Sequence, residues 1–223
     1  MKEFKFIFFF IIVILFFSCT KTERKPLTIV CMGDSLTESR FGNYTLHLQK
    51  FFIKNKINAK VISLGRPGNT SGEYLRYLES KTPIKKLNPD IVILMLGTND
   101  VRIDGDNTPT NIYKKNMKKI IGIIRDTDNN NPDPVKIFIM TIPPIFVTDL
   151  NTFSTESVKR VENEIVPAIR EMSEKEKLKL IDINSFFRRN KDLLPGIHPS
   201  PAGYFMMAKF IFNQLKKDLK LNI

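Results

Sequence analysis

The segment Asp90-Ile91-Val92-Ile93-Leu94-Met95-Leu96-Gly97 decides the fold. Six apolar residues, the first three β-branched, stand between the turn-forming Asn88-Pro89 and a glycine. A strand with one wet face alternates apolar and polar residues. This one does not, so it reads as a strand buried on both faces, as in a parallel sheet. Four further runs have the same character: Leu27–Met32 before Gly33, Ala59–Leu64 before Gly65, Val135–Thr141 before Pro143-Pro144, and Leu178–Ile183. Between them apolar residues recur at helical spacing. One stripe is Ile112, Ile120, Ile121 and Ile124. A second is Val158, Val161, Ile165, Ala168, Ile169 and Met172. A third is Tyr204, Met207, Ala208, Ile211, Phe212 and Leu215. Five strands alternating with helices predict an α/β fold, a five-stranded parallel sheet covered on both faces.

The chain has 223 residues, a formal charge of +12 and 42% hydrophobic residues. Two cysteines exclude a disulfide scaffold and a cysteine-based zinc module. The totals mix two unlike parts. Lys2 and Lys5 precede Phe6–Phe17, twelve unbroken apolar residues, and then Ser18-Cys19 and a polar run. Twelve residues are too few for a membrane-spanning helix and suit the apolar core of a signal peptide. An apolar run ending in a small residue and Cys resembles a bacterial lipoprotein signal. The resemblance implies that residues 1–18 are removed, that Cys19 is lipidated, and that 19–26 link it to a domain at 27–223. It places the protein outside the cytoplasm, tethered to a membrane. An uncleaved anchor is the rival reading, and it too exports and tethers the domain. Without residues 1–18 the charge is +11 and the hydrophobic share falls to about 39%, ordinary for a folded domain. The lysines are scattered over helix faces without interleaved stacking aromatics, so no nucleic-acid partner is expected. Cys31 lies inside an apolar strand, where it reads as a small core residue.

In a parallel sheet ligands bind at the carboxyl ends of the strands, near a reversal in strand order. After the first run comes Gly33-Asp34-Ser35-Leu36-Thr37. Ser35 could present a nucleophilic hydroxyl or cap the next helix. It is not the G-x-S-x-G elbow, since position 37 is Thr. After the second comes Gly65-Arg66-Pro67-Gly68-Asn69-Thr70, where Gly68 exposes an N–H or makes a plain turn. After the third comes Gly97-Thr98-Asn99-Asp100, where Asn99 is an oxyanion donor or an Asx turn. After the fifth comes Gly196-Ile197-His198-Pro199-Ser200. Of the two histidines, His47 lies within the first helix, while His198 lies in a loop and is the better base. A nucleophile, two donors and a base on one rim are the parts of a serine hydrolase.

These blocks resemble the SGNH, or GDSL, hydrolases from about Leu27 to the last helix. The resemblance implies a three-layer α/β/α sandwich of flavodoxin-like topology, with Ser35 as nucleophile and His198 as base. It implies an oxyanion hole formed by Ser35, Gly68 and Asn99. It implies hydrolysis of carboxylic esters, whether carbohydrate O-acetyl groups, lipids or thioesters, with no metal and no organic cofactor. The family usually carries Asp three residues before the catalytic His, and here that position is Pro195. Asp192 is a candidate to replace it. A backbone carbonyl could hold His198 instead, or catalysis has been lost and the pocket binds an acylated glycan or lipid. Asp182 reads as structural. Substrate choice would lie in the loops Val101–Thr110 and Phe146–Thr155, which carry no readable code.

Overall fold

The computed structural model describes residues 25–38, 43–127, 134–146 and 152–220. The strands are β1 (Leu27–Gly33), β2 (Ala59–Gly65), β3 (Ile91–Met95), β4 (Lys136–Met140) and β5 (Lys179–Ile181). All neighbours run parallel, in the order β2-β1-β3-β4-β5. Cys19 and the whole candidate signal segment lie outside the described residues.

The helices are α1 (Tyr44–Lys54), α2 (Ser71–Lys81), α3 (Pro83–Leu87), α4 (Thr110–Arg125), α5 (Thr155–Arg160), α6 (Val166–Lys175), α7 (Ile183–Arg189) and α8 (Pro201–Asp218). From β1 the chain moves to β2 on one side, then crosses back to β3 and onward to β5. Crossovers keep a right hand, so reversing direction moves the connecting helices to the other face. Accordingly α1 packs with α8, while α4 packs with α2 and α6. The sheet is the middle of three layers, as the five apolar runs predict.

Burial follows position in the sheet. Every residue of β3 is buried, and so is every residue of β1 after Leu27. The outer strands depart from the sequence reading, which took them as fully buried. β2 is only half-buried, and Lys179 and Leu180 of the three-residue β5 are exposed. Each has a neighbour on one side only. Lys60 and Lys179 interrupt their apolar runs, and lysine on an edge strand discourages pairing with another chain.

The stripe from Val158 to Met172 forms one helical path, but not a uniform one. Residues Val161–Ile165 make a π-turn between α5 and α6, with the Val166 N–H bonded to the Val161 carbonyl. Pro167 explains it: proline lacks the N–H that would continue the α pattern and its ring crowds the preceding turn. Cys31 is fully buried, and desolvation pushes its thiol up to about 12, so it packs as a core residue.

Ile93, on the central strand, has no exposed surface. Ile93→Ala should lower unfolding free energy by about 2–5 kcal/mol. Leu180→Ala on the exposed edge should stay within about 0.5 kcal/mol in the same urea titration.

Candidate active site

The site begins with strand register. Gly33, the last residue of β1, pairs with Gly65 of β2 and Met95 of β3. Three strand ends therefore come level beside one another, and β1 lies where the strand order reverses. The segments that follow them carry Ser35, Gly68 and Asn99. Two tyrosines from the covering helices hold these ends. Tyr74 Oη of α2 donates to the Leu64 carbonyl at 2.8 Å, and Tyr113 Oη of α4 donates to the Leu96 carbonyl at 2.9 Å.

Ser35 is in a tight turn. The Asp34 carbonyl accepts the N–H groups of Thr37 and Glu38, both at 3.1 Å, and Asp34 Oδ1 accepts the Leu36 N–H at 3.0 Å. The turn consumes the N–H groups after Ser35, while the Ser35 N–H meets no acceptor among the described residues. Gly68 has φ +78°, in the left-handed region where an L side chain is strained. Asn69 N–H closes the turn on the Arg66 carbonyl at 3.2 Å, and the Gly68 N–H likewise meets no acceptor among the described residues. Thr70 then caps α2 through a capping box with Glu73.

Asn99 opens a 3-10 turn (Asn99–Val101) and is nearly buried. Its Nδ2 donates to the Asn69 carbonyl at 3.1 Å and, more weakly, to Asp34 Oδ2 at 3.4 Å. Its neighbour Asp100 accepts both the N–H and the hydroxyl of Ser71, at 3.0 and 2.6 Å. Arg160 of α5 donates to the backbone carbonyls of Asp100 and Thr108, and its guanidinium also bonds Asn107. These bonds lock the segment carrying Asn99 between α2 and α5.

His198 arrives from the far end of the chain. Its Nε2 lies 2.9 Å from Ser35 Oγ. The loop is closed by Leu193, whose carbonyl accepts the Ser200 N–H at 2.9 Å and the Ser200 hydroxyl at 3.3 Å. Ser200 also caps α8. Helix and loop touch closely at Gly203, where a Cβ would sit 2.2 Å from the Leu193 oxygen. Desolvation holds the His198 imidazole below its ordinary value of 6.5. His47, by contrast, sits within α1 with its ring edge-on to Phe205.

Asp192 is not brought to the imidazole. It is exposed on the 3-10 turn Lys191–Leu193 and does not hydrogen-bond His198. The reason is local: the loop closes on the Leu193 carbonyl, which leaves Asp192 outside the closed segment. Asp182 caps α7 and pairs with Arg170 at 2.9 Å, a structural role.

The residues that sequence reasoning did not single out are Asp34 and Asp100. Both are buried beneath the rim, and burial raises both. Asp34 is pushed from 3.8 to about 7, chiefly by desolvation, with the nearby Asp100 charge adding to it against the Leu36 N–H. The only trace in the sequence is an Asp beside each candidate residue, in Asp34-Ser35 and Asn99-Asp100.

A profile of the GDSL-like lipase/acylhydrolase family matches residues 31–205, which holds all four rim residues. The chain belongs to that family. Its members are carboxylic ester hydrolases. Over 160 residues it is 29% identical to a multidomain esterase of Ruminococcus flavefaciens, covering 69% of this chain and 19% of that protein. Over 221 residues it is 22% identical to an acetylxylan esterase of Xylanibacter ruminicola, covering 87% of this chain and 44% of that one. The chain thus spans about a fifth and under half the length of these two relatives. Among solved structures it resembles a lipase/acylhydrolase from Enterococcus faecalis, with a TM-score of 0.70 at 22% identity over 86% of this chain and 96% of that one. That likeness shows the α/β/α fold.

The Asp34 carboxyl gives a measurable signature. A group whose value rises from 3.8 to about 7 on folding stabilises the fold in its protonated form. That contribution is complete below about pH 4 and is lost as the pH rises to about 7. Asp34→Asn keeps an acceptor for the Leu36 N–H but cannot titrate. Wild-type stability relative to Asp34→Asn should therefore fall between pH 4.5 and about 7 and stay level above it. Chemical denaturation across that range checks this, and a pH-independent difference would contradict it.

Proposed function

We propose that the protein is an exported, membrane-tethered serine esterase, lipidated at Cys19, that cleaves carboxylic esters through an acyl-Ser35 intermediate. One observation carries the catalytic reading: His198 Nε2 stands 2.9 Å from Ser35 Oγ at the strand-order reversal. In this reading His198 Nε2 takes the Ser35 proton as Oγ bonds to the ester carbon. The carbonyl oxygen becomes an oxyanion, for which the N–H groups of Ser35 and Gly68 and the Asn99 amide are the donors. The 3.4 Å bond from Asn99 to Asp34 is the weaker of its two and the one an oxyanion displaces. Collapse breaks the bond to the alcohol, which leaves with the His198 proton. A water deprotonated by His198 then attacks the acyl carbon and releases the acid.

The name of one relative, an acetylxylan esterase, supports O-acetylated carbohydrate as the substrate class. Export and tethering rest on the sequence of residues 1–19. Asp192 stands away from the imidazole, so it supplies no carboxylate to stabilise the imidazolium, which in a triad speeds turnover. The same observation favours the second reading, a pocket that binds an acylated glycan or lipid without turnover. Ligand retained by Ser35→Ala alongside an inert wild type would select it.

The test is hydrolysis of an aryl acetate and of acetylated xylan. Ser35→Ala should abolish turnover over background. Asn99→Ala should lower kcat by about 10²–10³, the usual cost of one oxyanion donor. Because His198 must be neutral to accept a proton and desolvation lowers its value, kcat/KM should fall on acidification only below pH 6.5. A wild-type protein without activity, or an Asn99→Ala variant with full activity, would refute the mechanism.

A further inference from the structure

The helix pair α1–α8 presents an outer face that neither the sheet nor the candidate active site uses. Leu46 is 58% exposed, Ile53 65% and Phe205 44%, three of six large apolar side chains that stand out among the described residues. Rings join the two helices at Phe205, which meets His47 at 5.6 Å and Phe51 at 5.3 Å, and Phe51 stacks on Phe212 at 5.7 Å. Leu46, Lys50, Ile53 and Lys54 follow one another at helical spacing along α1. Phe205, Lys209 and Lys216 do so along α8. Neither face carries a competing carboxylate: α1 has no acidic residue, and the one acid of α8, Asp218, pairs with Lys179 at 2.7 Å.

We propose that this α1–α8 face docks on an anionic phospholipid surface. Phenylalanine, leucine and isoleucine side chains flanked by lysines, with no acid among them, are the composition of helices that lie in a membrane interface. The apolar side chains enter the boundary between headgroups and acyl chains, and the lysines extend their stems to anionic headgroups. A second copy of this chain is a poor partner, because a symmetric contact sets Lys50, Lys54, Lys209 and Lys216 against themselves. The docked face adjoins the rim, since α8 starts three residues after His198 and Leu46 is in the first turn of α1. The inference rests on the two helix faces alone and stands or falls without the esterase reading.

The chain has no tryptophan, so one introduced residue reports on its own surroundings. Phe205→Trp and Ile53→Trp probe the face, and Ile112→Trp, at an exposed position of α4, probes the opposite face of the sheet. Each full-length variant is placed in vesicles whose phosphatidylglycerol and phosphatidylcholine carry brominated acyl chains. Brominated lipid should remove most of the Phe205→Trp and Ile53→Trp emission and little of the Ile112→Trp emission. Replacing Lys50, Lys54, Lys209 and Lys216 together by Gln, or raising salt to about 0.5 M, should restore the lost emission. Equal quenching at all three positions, or quenching unchanged in phosphatidylcholine alone, would overturn the assignment. So would a dimer seen by sedimentation in detergent that buries the Phe205→Trp side chain without lipid. Circular dichroism of each variant confirms that the fold is intact.

Discussion

A single hydrogen bond, His198 Nε2 to Ser35 Oγ, joins the first strand end to the loop before the last helix, 163 residues apart in sequence. Most of the fold serves that meeting. The register of β1 with β2 and β3 levels the strand ends, and Tyr74 and Tyr113 fasten two of them from the covering helices. The contact of α8 with α1 sets the helix whose N-terminal loop carries the histidine. Gly203 lets that loop lie against the helix at a distance no other residue permits. The hydroxyl and the imidazole are held by backbone at both ends, so the proposed attack on a carbonyl would need little reorganisation.

The same rim carries an electrostatic cost. Asp34 and Asp100 are both buried, the Asp100 charge adds to the rise at Asp34, and neither has a cationic side chain as its main partner. Their acceptors instead take N–H and hydroxyl groups of the turns: Leu36 for Asp34, Ser71 for Asp100. Buried carboxylates satisfied in this way hold loops rigidly while leaving charge unneutralised, which suits a site that must fix donors without blocking them. The weak 3.4 Å contact between Asn99 and Asp34 is where that tension meets the proposed oxyanion donor.

Much of this was legible in the residues. Continuous apolar runs located all five strands, three of them ending in glycine, because a parallel sheet covered on both faces leaves no polar side to its central strands. The rule "look at the carboxyl ends" then isolated Ser35, Gly68, Asn99 and His198 from the other Ser, Gly, Asn and His residues of the chain. What was not legible depends on neighbours far away in sequence. The outer strands read as buried because their edge position is set by strand order, and only Lys60 and Lys179 betray it. Tyr74 and Tyr113 look like members of apolar stripes until their hydroxyls meet strand-end carbonyls. Asp192 read as a stand-in for the missing acid because sequence distance does not show that the loop closes at Leu193.

The account turns on Ser35 being a nucleophile activated by His198. The most direct measurement is covalent labelling of the folded wild-type protein by a fluorophosphonate, with the adduct located by peptide mass spectrometry. The account predicts one adduct, on Ser35, formed at neutral pH and suppressed by His198→Gln. An unlabelled Ser35 in a folded protein, or labelling that His198→Gln leaves unchanged, would contradict it.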